Sequence, residues 1–334
     1  MSGPEETRDE APQGVVPPEI ELRDESSSLT ASPPKAQEAV GEGAHQRITA
    51  PPGALLGGRV SATVSRLLAT GVLLLASIAG LFAFLSPFFP GQDPQRSPAA
   101  AVSAHSDDAP LIFLVALGLC LLVIITNLET RRMDSRLVAV LGLLVGLNAS
   151  LRLITGPAGM SAVFFLPILA GFVLGADFGF LLGALSLLVS AVLTSGIGPW
   201  LPFQMFAAGW TGMIAGWIPQ FPKRPRLELT LLALWGAAAG WLYGVVMNLW
   251  FWPFLMPPGG ADEGIHWVAG SSWLEGVQAY LAFYLVTSLW WDTGRAVGNL
   301  VLILAIGAPI LRLLRRFRGR FGFWVESTDR PDAG

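Results

Sequence analysis

The chain has 334 residues and a formal net charge of −3, with 52% hydrophobic and 13% charged residues. An average soluble domain carries about 25% charged residues. One cysteine excludes a disulfide framework or a cysteine-rich metal site, and none of the three histidines (His45, His105, His266) lies in an apolar run, which argues against a haem or zinc centre within a bilayer. The composition is that of a polytopic membrane protein.

The charge is unevenly spread. Residues 1–58 hold ten acids and four bases, a net −6, which leaves +3 on residues 59–334. The first stretch is rich in Pro, Glu and Ser and has no apolar periodicity, so residues 1–60 read as a disordered, acidic, cytoplasmic tail. It lacks the basic start, apolar stretch and small-residue cleavage site of a signal peptide.

A spanning helix needs about 20 apolar residues. Two spans, 67–87 and 110–128, fall within a first membrane section, 61–136. Span 3 covers 137–154 and carries Arg152 near its end; the turn 155–159 leads into span 4 at 161–175. Residues 178–222 are uncharged and broken by Gly196-Ile-Gly-Pro-Trp200, giving spans at 178–195 and 201–219. Span 7 covers 229–252.

The apolar stretch 276–315 is too long for one crossing, and the bases arbitrate. Arg59 and Arg66, then Arg131, Arg132 and Arg136, then Lys223, Arg224 and Arg226, and finally Arg312, Arg315, Arg316, Arg318 and Arg320 share one side if that stretch crosses once. Residues 276–290 therefore read as a surface or re-entrant helix at the outer face, and 293–314 as span 8. Both termini, including the tail 321–334, are expected in the cytoplasm of a plasma-membrane protein.

Small residues at i, i+4 let helix backbones approach in lipid. Gly142, Gly146 and Ser150 form one such ladder, Gly175, Gly179 and Gly183 a second, and Gly236, Gly240 and Gly244 a third. The third suits packing within the chain; the first two are candidates for a face that meets another protein.

Polar residues converge at the outer level: Asn148 and Arg152 on span 3, Gln204 on span 6, Asn248 on span 7, and Asp292, Arg295 and Asn299 on one face of span 8. Seven of the twelve tryptophans, Trp200 and Trp291 among them, belong to the same level. Helix-end charges and interfacial tryptophans also occur for purely structural reasons. Convergent intramembrane polar groups are nevertheless the default place to expect a ligand, here a flat organic solute rather than a bare ion. Asp177, at a cytoplasmic turn, is expected to be solvated.

The chain carries no Walker A sequence, His-Glu-x-x-His or Gly-x-Ser-x-Gly, no histidine within a span for a serine protease, and no pair of mid-span aspartates. No catalytic centre is expected. Active transport would then draw on a partner ATPase, since no acidic residue lies deep in a span. A non-transporting membrane interaction or scaffold protein is the alternative.

Phe165-Leu-Pro-Ile-Leu-Ala-Gly-Phe-Val-Leu-Gly175, Phe178-Gly-Phe-Leu-Leu-Gly-Ala-Leu-Ser-Leu-Leu-Val-Ser190, Gly198-Pro-Trp-Leu-Pro-Phe-Gln-Met-Phe-Ala-Ala-Gly-Trp210 and Thr287-Ser-Leu-Trp-Trp-Asp-Thr-Gly-Arg-Ala-Val-Gly-Asn299 with its basic tail share one likeness. Over about residues 137–320 the chain resembles the substrate-binding S component of energy-coupling factor (ECF) transporters, most closely the actinobacterial branch near the cobalamin-type members. The resemblance implies an all-α, six-helix membrane domain at 137–320, preceded here by two extra helices and the tail. It implies a vitamin or related micronutrient, a corrinoid first, bound near the outer surface. It also implies a transmembrane coupling protein and two cytoplasmic ABC-type ATPases as partners within the lipid bilayer. Nucleic acid is not among the expected partners, and no cofactor is expected. The family's Ala-xxx-Ala contact on the first core helix corresponds to Gly142 and Gly146.

Overall fold

A computed structural model describes residues 52–89, 109–129, 133–154, 156–255, 264–268 and 270–320. The acidic tail up to residue 51, the tail 321–334, and Arg131 and Arg132 lie outside the described residues.

The uncharged runs become helices because a backbone in lipid must satisfy its own hydrogen bonds. All regular structure among the described residues is helical: α1 (Pro52–Leu85), α2 (Ala109–Glu129), α3 (Ser135–Leu151), α4 (Phe165–Leu174), α5 (Ala176–Leu193), α6 (Leu201–Ala215), α7 (Pro225–Phe251), α8 (Trp273–Thr287) and α9 (Leu289–Arg320), with short 3-10 turns between some of them. Helix α1 begins at Pro52, ahead of the expected boundary at 61. Five segments are long and apolar enough to cross a bilayer: 67–88, 109–129, 176–193, 225–254 and 289–320. The chain is an all-α polytopic membrane protein. The stretch 276–315 divides at Ser288 into α8, with only Phe283 and Tyr284 buried, and the long α9.

Lipid is as apolar as leucine, so packing rather than transfer from water holds these helices together. Helix α4, only ten residues long, is the centre: Phe165 to Val173 are all buried, with α5, α6 and α9 packed around it. A Cβ on Gly171 or Gly179 would strike the carbonyl of Gly212, and one on Gly183 the carbonyl of Ala208. Backbones of α4, α5 and α6 therefore touch directly. The second ladder does not present Gly179 and Gly183 to another protein, as the sequence had allowed; α6 occupies that face. Gly175, with nothing near its Cβ position, makes the α4–α5 turn at φ +110°. A residue with a side chain is strained there.

The third ladder joins α7 to α9: Gly236 meets Ile303, Gly240 meets Ala296, and Gly244 lies against the Asp292 carboxylate. Only the first ladder is open. Among the described residues nothing approaches the Cβ positions of Gly142 and Gly146, and Gly142, Gly146 and Ser150 are exposed on α3.

Helices α1 and α2 pack on the outside of this core. Phe84 of α1 stacks edge-on against Phe203 of α6 at 5.0 Å, and Ser77 reaches Met213.

At one end of the bundle Glu228 accepts from Arg315 at 2.6 Å and from the Phe221 amide at 2.7 Å, while Arg318 and Gln220 donate to the carbonyls of Val173 and Phe172. This clasp joins α4, the α6–α7 loop, α7 and α9. Asp177 is 7% exposed, so it is buried and not solvated as expected. It sits in the first turn of α5, where free amides and the helix dipole favour a carboxylate.

Candidate functional site

The opposite end collects the polar residues. Arg152, the C-cap of α3, donates from Nη1 to Ser190 Oγ on α5 at 2.7 Å and from Nη2 to Gln204 Oε1 on α6 at 3.2 Å. The guanidinium fork suits such a paired contact because its donors are planar and fixed. Ser190 in turn donates to Leu187 O. One turn below Arg152, fully buried Asn148 donates to Val163 O at 2.9 Å and keeps its Oδ1 without a protein partner.

The second half is on α9. Arg295 pairs with Asp292 one turn earlier, and its guanidinium lies 5.2 Å over the ring of Tyr243 on α7. The Tyr243 ring also packs against Phe164 at 4.7 Å. Arg152 thus ties α3 to α5 and α6, while Arg295 lies between α9 and α7.

The loop between α3 and α4 lies beside these residues. It carries Ala158 at φ +53° and Gly159 at φ +77°, the former costing about 1 kcal/mol of backbone strain. It lies directly on α9, with Ala158 O against Gly294, Gly159 against the Trp291 carbonyl, and Met160 against Gly298.

Other expected site residues are used differently. Asn299 donates to Gly236 O at 3.1 Å and Asn248 to Ser288 Oγ at 2.7 Å, so both bind helix to helix. Trp200 pairs edge-on with Trp250 at 6.2 Å. Trp291 is 59% exposed, on the surface of α9. Ser190 and Tyr243 escaped the sequence reading. The repeat Ser186, Ser190, Thr194, one hydroxyl per turn on one face of α5, was the available signal for Ser190.

Cavities among the described residues include one outside this cluster and one that shares Tyr243 with it. The larger, about 670 Å³, sits among the end of α1, the end of α7, residues 267, 268 and 270–272, and α8; its walls include Phe88, Trp252, Trp267, Trp273 and Tyr280. The smaller, about 380 Å³, opens between α1, α6 and α7 and is lined largely by aliphatic side chains such as Leu74, Ile78, Leu81, Leu242 and Val246. No group of three or more potential metal-ligating side chains occurs among the described residues.

A family model described as "ECF transporter, substrate-specific component" matches residues 136–307, just over half of the chain. The protein belongs to the ECF transporter substrate-specific components. The match begins at the foot of α3 and ends within α9, so it takes in the Arg152 cluster, the Asp292–Arg295 pair and the loop between α3 and α4. Helices α1 and α2 precede it. The curated proteins and the solved structures yield no match. As an ECF substrate-specific component, the chain is a non-catalytic, substrate-binding membrane subunit that works with other ECF subunits.

Proposed function

We propose that the chain captures an organic micronutrient, a vitamin or a relative of one, at the outer face of the plasma membrane, for uptake driven by a coupling protein and two cytoplasmic ATPases. The family match carries this reading. It is supported by two arginines from separate helices, Arg152 between α5 and α6 and Arg295 over Tyr243, beside a strained loop, at the end that the positive-inside rule reads as the outer one. Arg152 and Arg295 are the residues assigned to the substrate's polar groups. Asn148, with a buried acceptor still unspent, stands below them. A corrinoid heads the candidates because of the Gly198-Pro-Trp200 and Pro202-Phe-Gln-Met205 elements. The section 137–320 is the binding domain, with α1, α2 and both tails as additions to it. The exposed stripe Gly142, Gly146, Ser150 is assigned to the coupling protein, since it alone of the three ladders has no partner helix within the described residues.

Tryptophan quenching of the purified protein against a vitamin panel tests the reading. One vitamin is expected to bind at submicromolar concentration, and Arg152→Ala and Arg295→Ala to weaken it about tenfold or more, the loss of a charge-assisted hydrogen bond. A flat response to the whole panel would refute it.

A further inference from the structure

The 670 Å³ cavity lies within the usual size of a small-molecule site, about 300–1,000 Å³. One wall comes from Leu85, Phe88 and Phe89, which precede the family match; the others come from the end of α7, from Trp267, Val268 and residues 270–272, and from α8.

Its chemistry is narrow. None of the fourteen lining residues is charged. Trp252 Nε1 donates to Ile265 O at 2.9 Å, and Tyr280 donates its hydroxyl to Val245 O. The Ser271 hydroxyl donates to Val268 O, and that of Ser272 caps the amide of Glu275. These polar atoms are spent within the protein. A charged ligand group would lose water there and meet no opposite charge among the lining residues.

Six of the fourteen lining residues are aromatic. Trp267 stands at 90° to Phe88 with centroids 5.8 Å apart, and Trp252 stands at 70° to Tyr280 at 5.0 Å. Aromatic rings favour edge-to-face and offset-stacked neighbours, so a flat ring entering this cavity would meet suitable partners in Phe88, Trp252, Trp267, Trp273 and Tyr280. The same protein offers a contrast: the cavity between α1, α6 and α7 has the aliphatic walls that suit an acyl chain. Trp273, 78% exposed, stands at the rim. From Trp252 the ring contacts continue through Phe283, Phe251 and Trp250 to Trp200 at the start of α6, one turn from Gln204.

We propose that this cavity is a second binding site, separate from the Arg152–Arg295 cluster, for a small uncharged molecule with a flat aromatic or quinonoid ring system, and that α1 is present in part to build its wall. The inference does not depend on the identity of the transported micronutrient.

The test uses the full chain in lipid nanodiscs with N-phenyl-1-naphthylamine, an uncharged probe with two flat ring systems, read by energy transfer from tryptophan. Saturable binding of one probe per protein, beyond partition into empty nanodiscs, is expected. Gly276→Trp should weaken it about tenfold or more; Gly276 lines the cavity and its Cβ position is open, so the new ring fills the space without forcing the backbone. Phe88→Ala, on the opposite wall, should weaken it as well, which guards against a misfolded first variant. The sulfonated analogue 8-anilinonaphthalene-1-sulfonate should bind at least about tenfold more weakly. Binding equal to that of empty nanodiscs, full affinity in a folded Gly276→Trp variant, or displacement by palmitate but not by naphthalene would each overturn the proposal. None of these readouts requires a vitamin, a coupling protein or ATP. A vitamin panel without a hit and a cavity without a ligand are therefore separate results.

Discussion

Replacing Glu228 by alanine removes the acceptor on which the Arg315 end of the bundle closes. The carboxylate is 1% exposed and Arg315 30% exposed, with 2.6 Å between them. Breaking a fully buried pair costs about 3–5 kcal/mol, but Arg315 can turn partly to water, which brings its share down to about 2 kcal/mol. The Phe221 amide also loses its acceptor, worth about 1 kcal/mol more. The sum is about 3 kcal/mol, or a fall in melting temperature of about 6 °C at roughly 2 °C per kcal/mol for a chain of this size. The protein carries its own reporter. Cys120 on α2 is its one cysteine and is 3% exposed, so a thiol-reactive fluorogenic maleimide reads unfolding without added labels. Glu228→Gln keeps an acceptor for Phe221 and should fall by about half as much. Glu228→Met with Arg315→Met should recover most of the loss, since replacing both partners of a buried pair leaves no charge stranded. If Glu228→Ala melts within about 1 °C of wild type, or if the double variant loses the sum of the two single losses, the clasp does not hold the bundle as argued.

The glycine ladders should separate cleanly. Gly183→Leu would drive a side chain into the Ala208 carbonyl and should prevent recovery of monodisperse protein, well beyond the 1–3 kcal/mol of ordinary overpacking. Gly142→Leu, which meets nothing, should leave the melting temperature within about 1 °C of wild type and reduce recovery of the coupling protein in a pull-down. At the start of α8, Glu275 accepts from the Ser272 backbone amide while the Ser272 hydroxyl caps the Glu275 amide, and these bonds hold its carboxyl below the usual range. A carboxyl lowered by folding contributes fully above the free carboxylate value, and its contribution is lost as pH falls through the lowered one. Amide exchange in the first turn of α8, corrected for intrinsic rate, should therefore rise on acidification below that range, and Glu275→Gln, which does not titrate, should abolish the pH dependence.

Charge placement made the spans legible, because an uncharged run of membrane length has few alternatives to a helix. Even the division of 276–315 into a short surface helix and a long one follows from where the arginines lie. The glycine ladders were legible as contacts but not as partners. A close approach demands the same small residues whether the neighbour is α6 or another protein, which is why Gly179 and Gly183 were open to the wrong reading. The site was half legible. Charged and amide side chains stand out in an apolar chain, so Arg152, Gln204, Asp292 and Arg295 were visible. Ser190 was not, because a serine that bonds to its own helix is ordinary in a membrane; its role comes from an arginine 38 residues away. Tyr243 was hidden for the same reason, as Phe164 and Arg295 reach it from distant parts of the chain. The aromatic cavity was beyond reach because its walls are drawn from segments far apart in the chain.

Arg152 rests one nitrogen on α5 and the other on α6, so its fork works as a caliper across those helices. The gap it spans is set elsewhere. Gly183, where backbone meets backbone, lies seven residues before Ser190, about 10 Å along α5 at 1.5 Å per residue. Widening the seam there by a fraction of an ångström would open the jaws between Ser190 and Gln204 and retune the grip of the arginine on whatever it holds. On the assignment of Arg152 to the ligand proposed above, selectivity would be adjustable from deep in the bundle, by a methyl group that never meets the ligand.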